Sequence, residues 1–575
     1  MSEVFDLVVR GGTIVDGSGG ESYTGDVGVR NGVIAAIAPD LAGGREEVDA
    51  RGCIVTPGFV DVHTHYDGQI TWEHRLAPSS DHGVTTVLMG NCGVGFAPCR
   101  PDDRDILVRL MEGVEEIPGI VMAEGVPWNW ETFPAYMDAL EQRNADIDFC
   151  VQLPHSPLRV YVMGERAVKN EPPSDDDLTA MRRLTREAME AGALGVSTSH
   201  SPSHRFITGE PAPSIHTEVK ELLALADGLR DAGKGVFQML GNFRDSASSQ
   251  FAMFETIAQA AGRPLSFTYA QNMADPDGWR VTLGKLEEAH AKGLEIRGQV
   301  LPRPVGILMG LDLLLHAFSF TPSYLEIADL PLTEKVRRMR DPEMRRRLLT
   351  ETPSHTHPHL LGLVREQDNL YVLGSPPNYN PLPEESLAAI AKSQNRNVRE
   401  VIYDALLERD GHEIIYRPLG NMAEDPPRFE GVADLLRSPH AIIGLGDGGA
   451  HYGTICDAAF TTYFLTYWLS EARSARFDLN EAIRILSHDP AQAVGLRDRG
   501  LLKVGYKADI NVIDMDRLTL HPPRPIYDLP AGGRRLTQKA DGYVATIVSG
   551  KITYREGTPT GALPGRLQRF AREAA

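Results

Sequence analysis

The sequence predicts an α/β protein: a (β/α)8 TIM-like barrel that carries a small discontinuous β-sandwich domain built from both chain ends. Three observations predict it. The chain has 575 residues, enough for a large core and more than one domain. Apolar, β-rich runs alternate with amphipathic helical stretches across residues 58–502. Short strand-and-turn segments occupy both ends, each too small to build a core alone.

Taken in order, "FDLVVR", Gly11-Gly12 and "TIV" read as a first hairpin. "DVGVRNGVIAAI" reads as a second, with Asn31-Gly32 at the turn, where positive φ is wanted. Near the other end, "ADINVIDMD" and "YVATIVSGKITYREG" are strands, the latter turning at Ser549-Gly550. Residues 1–57 and 503–575, the second including a C-terminal tail, are therefore expected to pair as one domain. Between them come "FVDVHTH", "TTVLMGN", "DFCVQLPH", "GALGVSTSH", "GVFQML", "PLSFTYAQ", "LEIRGQV", "YVLGS" and "AIIGLGD". Helical stretches such as "DDDLTAMRRLTREAMEAG" and "TEVKELLALADGLRDAGKG" separate many of them. Strand–helix alternation implies parallel βαβ units, and about eight units suggest closure into a barrel. No GxGxxG opens a helix, which weakens a dinucleotide-binding alternative. Residues 310–370, with "LTEKVRRMRDPEMRRRLL", break the alternation and read as a helical insertion. "DLNEAIRILSHDPAQAVGL" reads as two helices, with Asp478 and Glu481 as a capping box, Pro490 at a start and Gly495 at a stop.

The formal charge is -20, which argues against a nucleic-acid or anionic-membrane partner because a polyanion would be repelled. Hydrophobic content of 42% and charged content of 24% are ordinary for a globular protein. No secretory pattern and no long apolar run appear. Five scattered cysteines suggest a reduced, cytoplasmic protein. A homo-oligomer is left open.

Chemistry in a barrel sits at the C-terminal ends of its strands. His63 and His65 close the first run. Spaced by two, they share a face and can reach one ion, and imidazole suits zinc. Cys92 ends the second run in "VLMGNCGVG", among glycines that let backbone come close. Asp447 ends "AIIGLGD", and a carboxylate closing a buried strand is costly unless paired or metal-bound. His451 follows on the loop.

Together, "GFVDVHTHYD", the late acid and the closing "RGLLKVGYKADINVIDMD" resemble the amidohydrolase superfamily of metal-dependent hydrolases. "GNCGVGF" and "PHSPLRVYVMG" resemble its N-acyl-D-amino-acid deacylase (D-aminoacylase) branch. The resemblance implies amide hydrolysis of a small-molecule N-acyl amino acid, with His63, His65, Cys92 and Asp447 as metal ligands. Asp447 would double as general base. His155 and His451 are candidate catalytic groups, and Arg159 a candidate for the substrate anion. The chain departs from the branch where the branch places histidines, on its fourth and fifth functional strands. Those segments read "GVFQMLGN" and "PLSFTYAQN", with Gln238 and no histidine or bridging lysine; Lys234 precedes the strand. The expectation is one tightly bound divalent ion, zinc for a set of His and Cys ligands. Hydrolysis of another amide, cyclic amide, small peptide or lactone, and a non-catalytic role, are the alternatives. His200, His204 and His216 fall in a polar loop, and "SHTHPH" reads as an exposed one.

Overall fold

The computed structural model describes residues 4–570 except 273, 356–357, 423–428, 430 and 472–474. The side chains of 358, 359 and 471 are likewise outside the description, so of "SHTHPH" only His355 is seen among its histidines, and it is exposed.

Eight parallel strands form the barrel: β1 (Phe59–Asp61), β2 (Val84–Met89), β3 (Asp148–Pro154), β4 (Gly195–Ser199), β5 (Val236–Leu240), β6 (Leu265–Thr268), β7 (Ile296–Val300) and β8 (Ala441–Ile443). Each pairs with the next in sequence order. Helices Val219–Ala232, Ala247–Ala261 and Gly278–Ala291 lie between β4 and β7. With both faces covered, a strand such as β2, β3 or β5 is buried at every residue, which is why it reads as an apolar run. The last seam closes beyond the strands proper: the Asp447 N–H donates to the His63 carbonyl at 3.1 Å, and the His65 N–H donates to Gly448 at 2.8 Å. Closure thus sets two of the sequence's candidate residues side by side.

The chain ends meet in a single nine-stranded sheet, in which Ile54–Pro57 pairs antiparallel with Ile510–Ile513. The ladder is continuous, and side chains from both ends, among them Val9, Val27, Val55, Ile510 and Ile547, share one core. Asn31-Gly32 and Ser549-Gly550 are turns with all four residues at positive φ. Gly11-Gly12 is not a turn. Phe5–Ile14 is one strand with an irregular register between Val9 and Gly12. A Cβ at Gly12 would meet Val55 at 2.4 Å, so the glycine serves close packing. Asp478 caps the helix Leu479–Leu486 through the Asn480 N–H.

The insertion between β7 and β8 is larger than residues 310–370. It holds a three-stranded sheet (Val305–Met309, Ile415–Gly420, Tyr371–Val372) and its own core of Phe318, Val336, Leu348, Ile402 and Tyr403. "YVLGS" supplies the short strand of that sheet and is not part of the barrel. Among the described residues no helix is long and apolar enough to cross a membrane.

Candidate metal centre

His63 and His65 leave the end of β1 on one face, and both are 1% exposed. The His63 Nδ1 lies 2.6 Å from Gln299 Oε1 on β7, and the Gln299 Nε2 donates to Ser266 Oγ on β6 at 3.1 Å. That chain fixes the amide, assigns the proton to Nδ1 and leaves the Nε2 lone pair for a ligand. Cys92 Sγ lies 3.3 Å from this Nε2. The turn after β2 delivers the thiol: Gly90 and Gly93 have φ of 80° and 70°, and Cys92 itself adopts 55°. Its N–H donates to Gln238 Oε1 on β5 at 3.2 Å. Ligand atoms of His63, His65 and Cys92 all lie within 4.8 Å of one another. Asp447 adds Oδ1 at 3.5 Å from the Nε2 of both histidines.

Backbone strain gathers here. Cys92, Leu445, Asp447 and His451 are all non-glycine residues at positive φ. Such conformations cost energy and persist where the surroundings over-determine them, typically at functional sites. Nitrogen, sulfur and carboxylate donors in a buried cluster suit zinc, and the Nε2 atoms of both histidines converge on the Cys92 thiol and the Asp447 carboxylate, as donors to one ion would.

The electrostatics are uneven. Burial lowers the His63 imidazole to about 4. His65 is also penalised by burial, but the Glu115 charge and bonds to Asp447 and Cys92 raise it well above its usual value. Asp447 is held well below the carboxylate range, because its bond to His65 and the nearby histidines outweigh burial. Burial pushes the Cys92 thiol up to about 11, so it is protonated at neutral pH until an ion takes it.

The mouth brings in two residues that sequence reasoning missed or set aside. Glu115, 1% exposed, places Oε1 3.3 Å from His65 Nδ1 and Oε2 3.6 Å from His451 Nε2. Burial lowers His204, on the loop after β4, to about 3, and the charges of His451, His65 and Asp447 act on it. The structure does not bring His155 and Arg159 there. His155 bonds Thr198 Oγ1 at 2.8 Å and Glu221 Oε1 at 2.9 Å, so both ring nitrogens are used. Arg159 donates to Glu221 and to the carbonyls of Ala167 and Glu171. Both residues build a buried ion-pair network behind β3 and β4. The segments "GVFQML" and "PLSFTYAQ" are β5 and β6, one later than the count from sequence. Where the resemblance would place a histidine on β5, Gln238 instead braces the Cys92 turn.

The model of the "Amidohydrolase family" matches residues 46–554. The chain belongs to that family. It is 27% identical to an N-acyl-D-aspartate deacylase of Alcaligenes xylosoxydans xylosoxydans, over 98% of this chain and 94% of that one. A D-aminoacylase of the same organism is 38% identical over a shorter stretch, 36% of this chain and 41% of that one. Among solved structures, an N-acyl-D-glutamate deacylase from Bordetella bronchiseptica, complexed with zinc and a phosphonate inhibitor, superposes with a TM-score of 0.64 at 22% identity, covering 99% of this chain and all of that one. A D-aminoacylase structure gives the same TM-score at 21% identity, over 98% of this chain and all of that one. At these identities the superpositions establish the fold.

Proposed function

We propose that this protein is a metal-dependent hydrolase of N-acyl-D-amino acids, with His63, His65, Cys92 and Asp447 holding one divalent ion, zinc by the donor set. The observation that carries the reading is the convergence of three buried side chains from β1 and β2, His63, His65 and Cys92, with the partly exposed Asp447 carboxylate from the end of β8. Once bound, the ion supplies Lewis acidity toward water and the amide carbonyl.

The chain's own residues divide the remaining work. Asp447 Oδ1 faces the site as a carboxylate at neutral pH, so it can take a proton from water and return it to the leaving amine. We assign to His451, on the loop after β8 and partly open to solvent, the donation to the oxygen of the amide as it becomes tetrahedral. Arg159 is spent on Glu221, so the substrate carboxylate needs another cation. Arg303, after β7, is 1% exposed, pairs with Asp457 on the β8 loop, donates to the Cys456 carbonyl and lies over the Tyr379 ring, leaving Nε and Nη1 without a hydrogen-bond partner. We assign the carboxylate to it.

The reading of a single tight ion rests on the two segments in which the resemblance places histidines, "GVFQML" and "PLSFTYAQ", which are β5 and β6 and hold Gln238 and no histidine. One D-aminoacylase neighbour has a binuclear centre with one-metal activation and second-metal attenuation. Elemental analysis should find about one tightly held ion per chain; two would show that further ligands exist. A screen of N-acyl-D- and N-acyl-L-amino acids with the zinc-loaded protein should give turnover on the D series. Turnover confined to lactones, cyclic amides or L substrates would overturn the substrate assignment.

A further inference from the structure

Glu115 is a carboxylate that the hydrolytic reading does not use. It ends the helix Arg104–Glu115 in the long excursion between β2 and β3. The next residue, Glu116, turns left-handed at φ 55° and stops the helix there. Both glutamates are then clasped to the loop after β8. The His451 N–H donates to the Glu115 carbonyl at 2.6 Å, and the Thr454 hydroxyl meets the Glu116 carboxylate at 2.8 and 2.9 Å. The backbone that carries the Glu115 carboxylate is thus anchored to that loop. It is buried at 1%, yet Oε2 has no hydrogen-bond partner, and His65 Nδ1 has none at ideal geometry either. A buried charge left so is costly unless it faces cations or polarised N–H groups. It faces two imidazoles, one on each oxygen: His65 at 3.3 Å and His451 at 3.6 Å.

The two ligand histidines are therefore supported differently. A neutral amide, Gln299, receives the Nδ1–H of His63, while a carboxylate faces the Nδ1 of His65. We propose that Glu115 is a positioning residue: it locks the His65 ring with Nδ1 protonated and Nε2 presented to the ion, and ties His451 to the same position. The proposal rests on the reading of His63, His65, Cys92 and Asp447 as ion ligands. It joins the β2 and β8 loops through one carboxylate, so ligand geometry and the donor over the substrate are set together. Partners that orient a ligand histidine are commonly worth ten- to a hundredfold in metal affinity.

The test compares Glu115→Gln, Glu115→Asp and Glu115→Ala with the wild type. Zn2+ affinity is measured against a chelator, the visible spectrum is taken with Co2+, and the melting temperature is taken on the metal-free protein. Glu115→Gln keeps the shape and is expected to lose about tenfold in Zn2+ affinity and to shift the Co2+ bands, with the metal-free melting temperature nearly unchanged. Glu115→Ala is expected to lose up to about a hundredfold, and Glu115→Asp to recover part of the loss. Unchanged Zn2+ affinity and unchanged Co2+ bands in both the Gln and Ala variants would overturn the proposal, even if melting shifts. Wild-type binding and His65→Ala separate the two levels: if wild type binds no ion, or if His65→Ala binds as well as wild type, the ligand reading fails; if His65→Ala loses the ion while the Glu115 variants keep it in full, the ligand stands and Glu115 is structural.

Discussion

Asp447 carries two jobs that one substitution separates. Its Oδ1 sits 3.5 Å from both ligand histidines, and its charge is held by them. Asp447→Asn keeps the shape and one oxygen but cannot accept a proton. Turnover should fall about a thousandfold or more, since loss of a general base alone costs about 10²–10⁴. Metal content should fall less. A variant with near-normal kcat would remove Asp447 from the proton transfer. Cys92 poses the complementary question, because a buried thiol is often only a small hydrophobe. Truncation of a packing residue this small costs about 1 kcal/mol. Cys92→Ala should lose metal well beyond what its melting temperature loses. Full retention of metal with only a lower melting temperature would make Cys92 a core residue, leaving the ion to two histidines and one carboxylate.

The turn after β2 shows how an element, not a side chain, makes a ligand. A Cβ on Gly90 would stand 2.5 Å from the Gln152 carbonyl, and its φ is 80°. Gly90→Ala should cost about 1–2 kcal/mol from the backbone conformation alone, and relief of the clash would move Cys92 away from His63. Elemental analysis beside a melting curve tests this: metal should fall further than the small loss of stability explains, and an unshifted metal content would show that the turn tolerates the change. These strand ends were readable in the sequence for a physical reason. A parallel strand covered on both faces is an unbroken apolar run, so His63, His65, Cys92 and Asp447 stand out as polar groups at the point where burial should end. Glu115 carries no such mark: it arrives on a helix far from any barrel strand, and "GVEEIPG" looks like any polar helix end. His155 carries the mark and is not drawn to the cluster, because its partner Glu221 lies on the helix Val219–Ala232 after β4 and only packing reveals the pair. Gln299 was findable, as a polar residue inside a buried strand, and its bond to His63 explains it.

At the scale of the molecule, the barrel and the sheet made by the chain ends must hold together for any of this geometry to exist, and one histidine joins them. His82, fully buried just before β2, places Nδ1 2.8 Å from Thr462 Oγ1 and Nε2 3.1 Å from the Gln538 carbonyl. Its own carbonyl accepts from Thr461 at 2.7 Å and from the Tyr543 hydroxyl at 3.0 Å. Burial lowers its imidazole to about 4, against about 6.5 in an unfolded chain. The unfolded state therefore binds a proton that the folded state refuses between those values. Stability from this group is complete above pH 6.5 and falls as pH drops toward 4, reaching a loss of roughly 3 kcal/mol there at about 1.4 kcal/mol per pH unit. His316, which burial lowers to about 3, adds a loss of the same sign. Melting temperature should accordingly drop steeply from pH 6.5 to 4. His82→Gln keeps a donor and an acceptor but has no proton to gain, so it should melt lower at neutral pH and show a flatter profile across that window. A variant profile as steep as the wild type's would mean that the acid sensitivity lies elsewhere, with His316 the next histidine to replace.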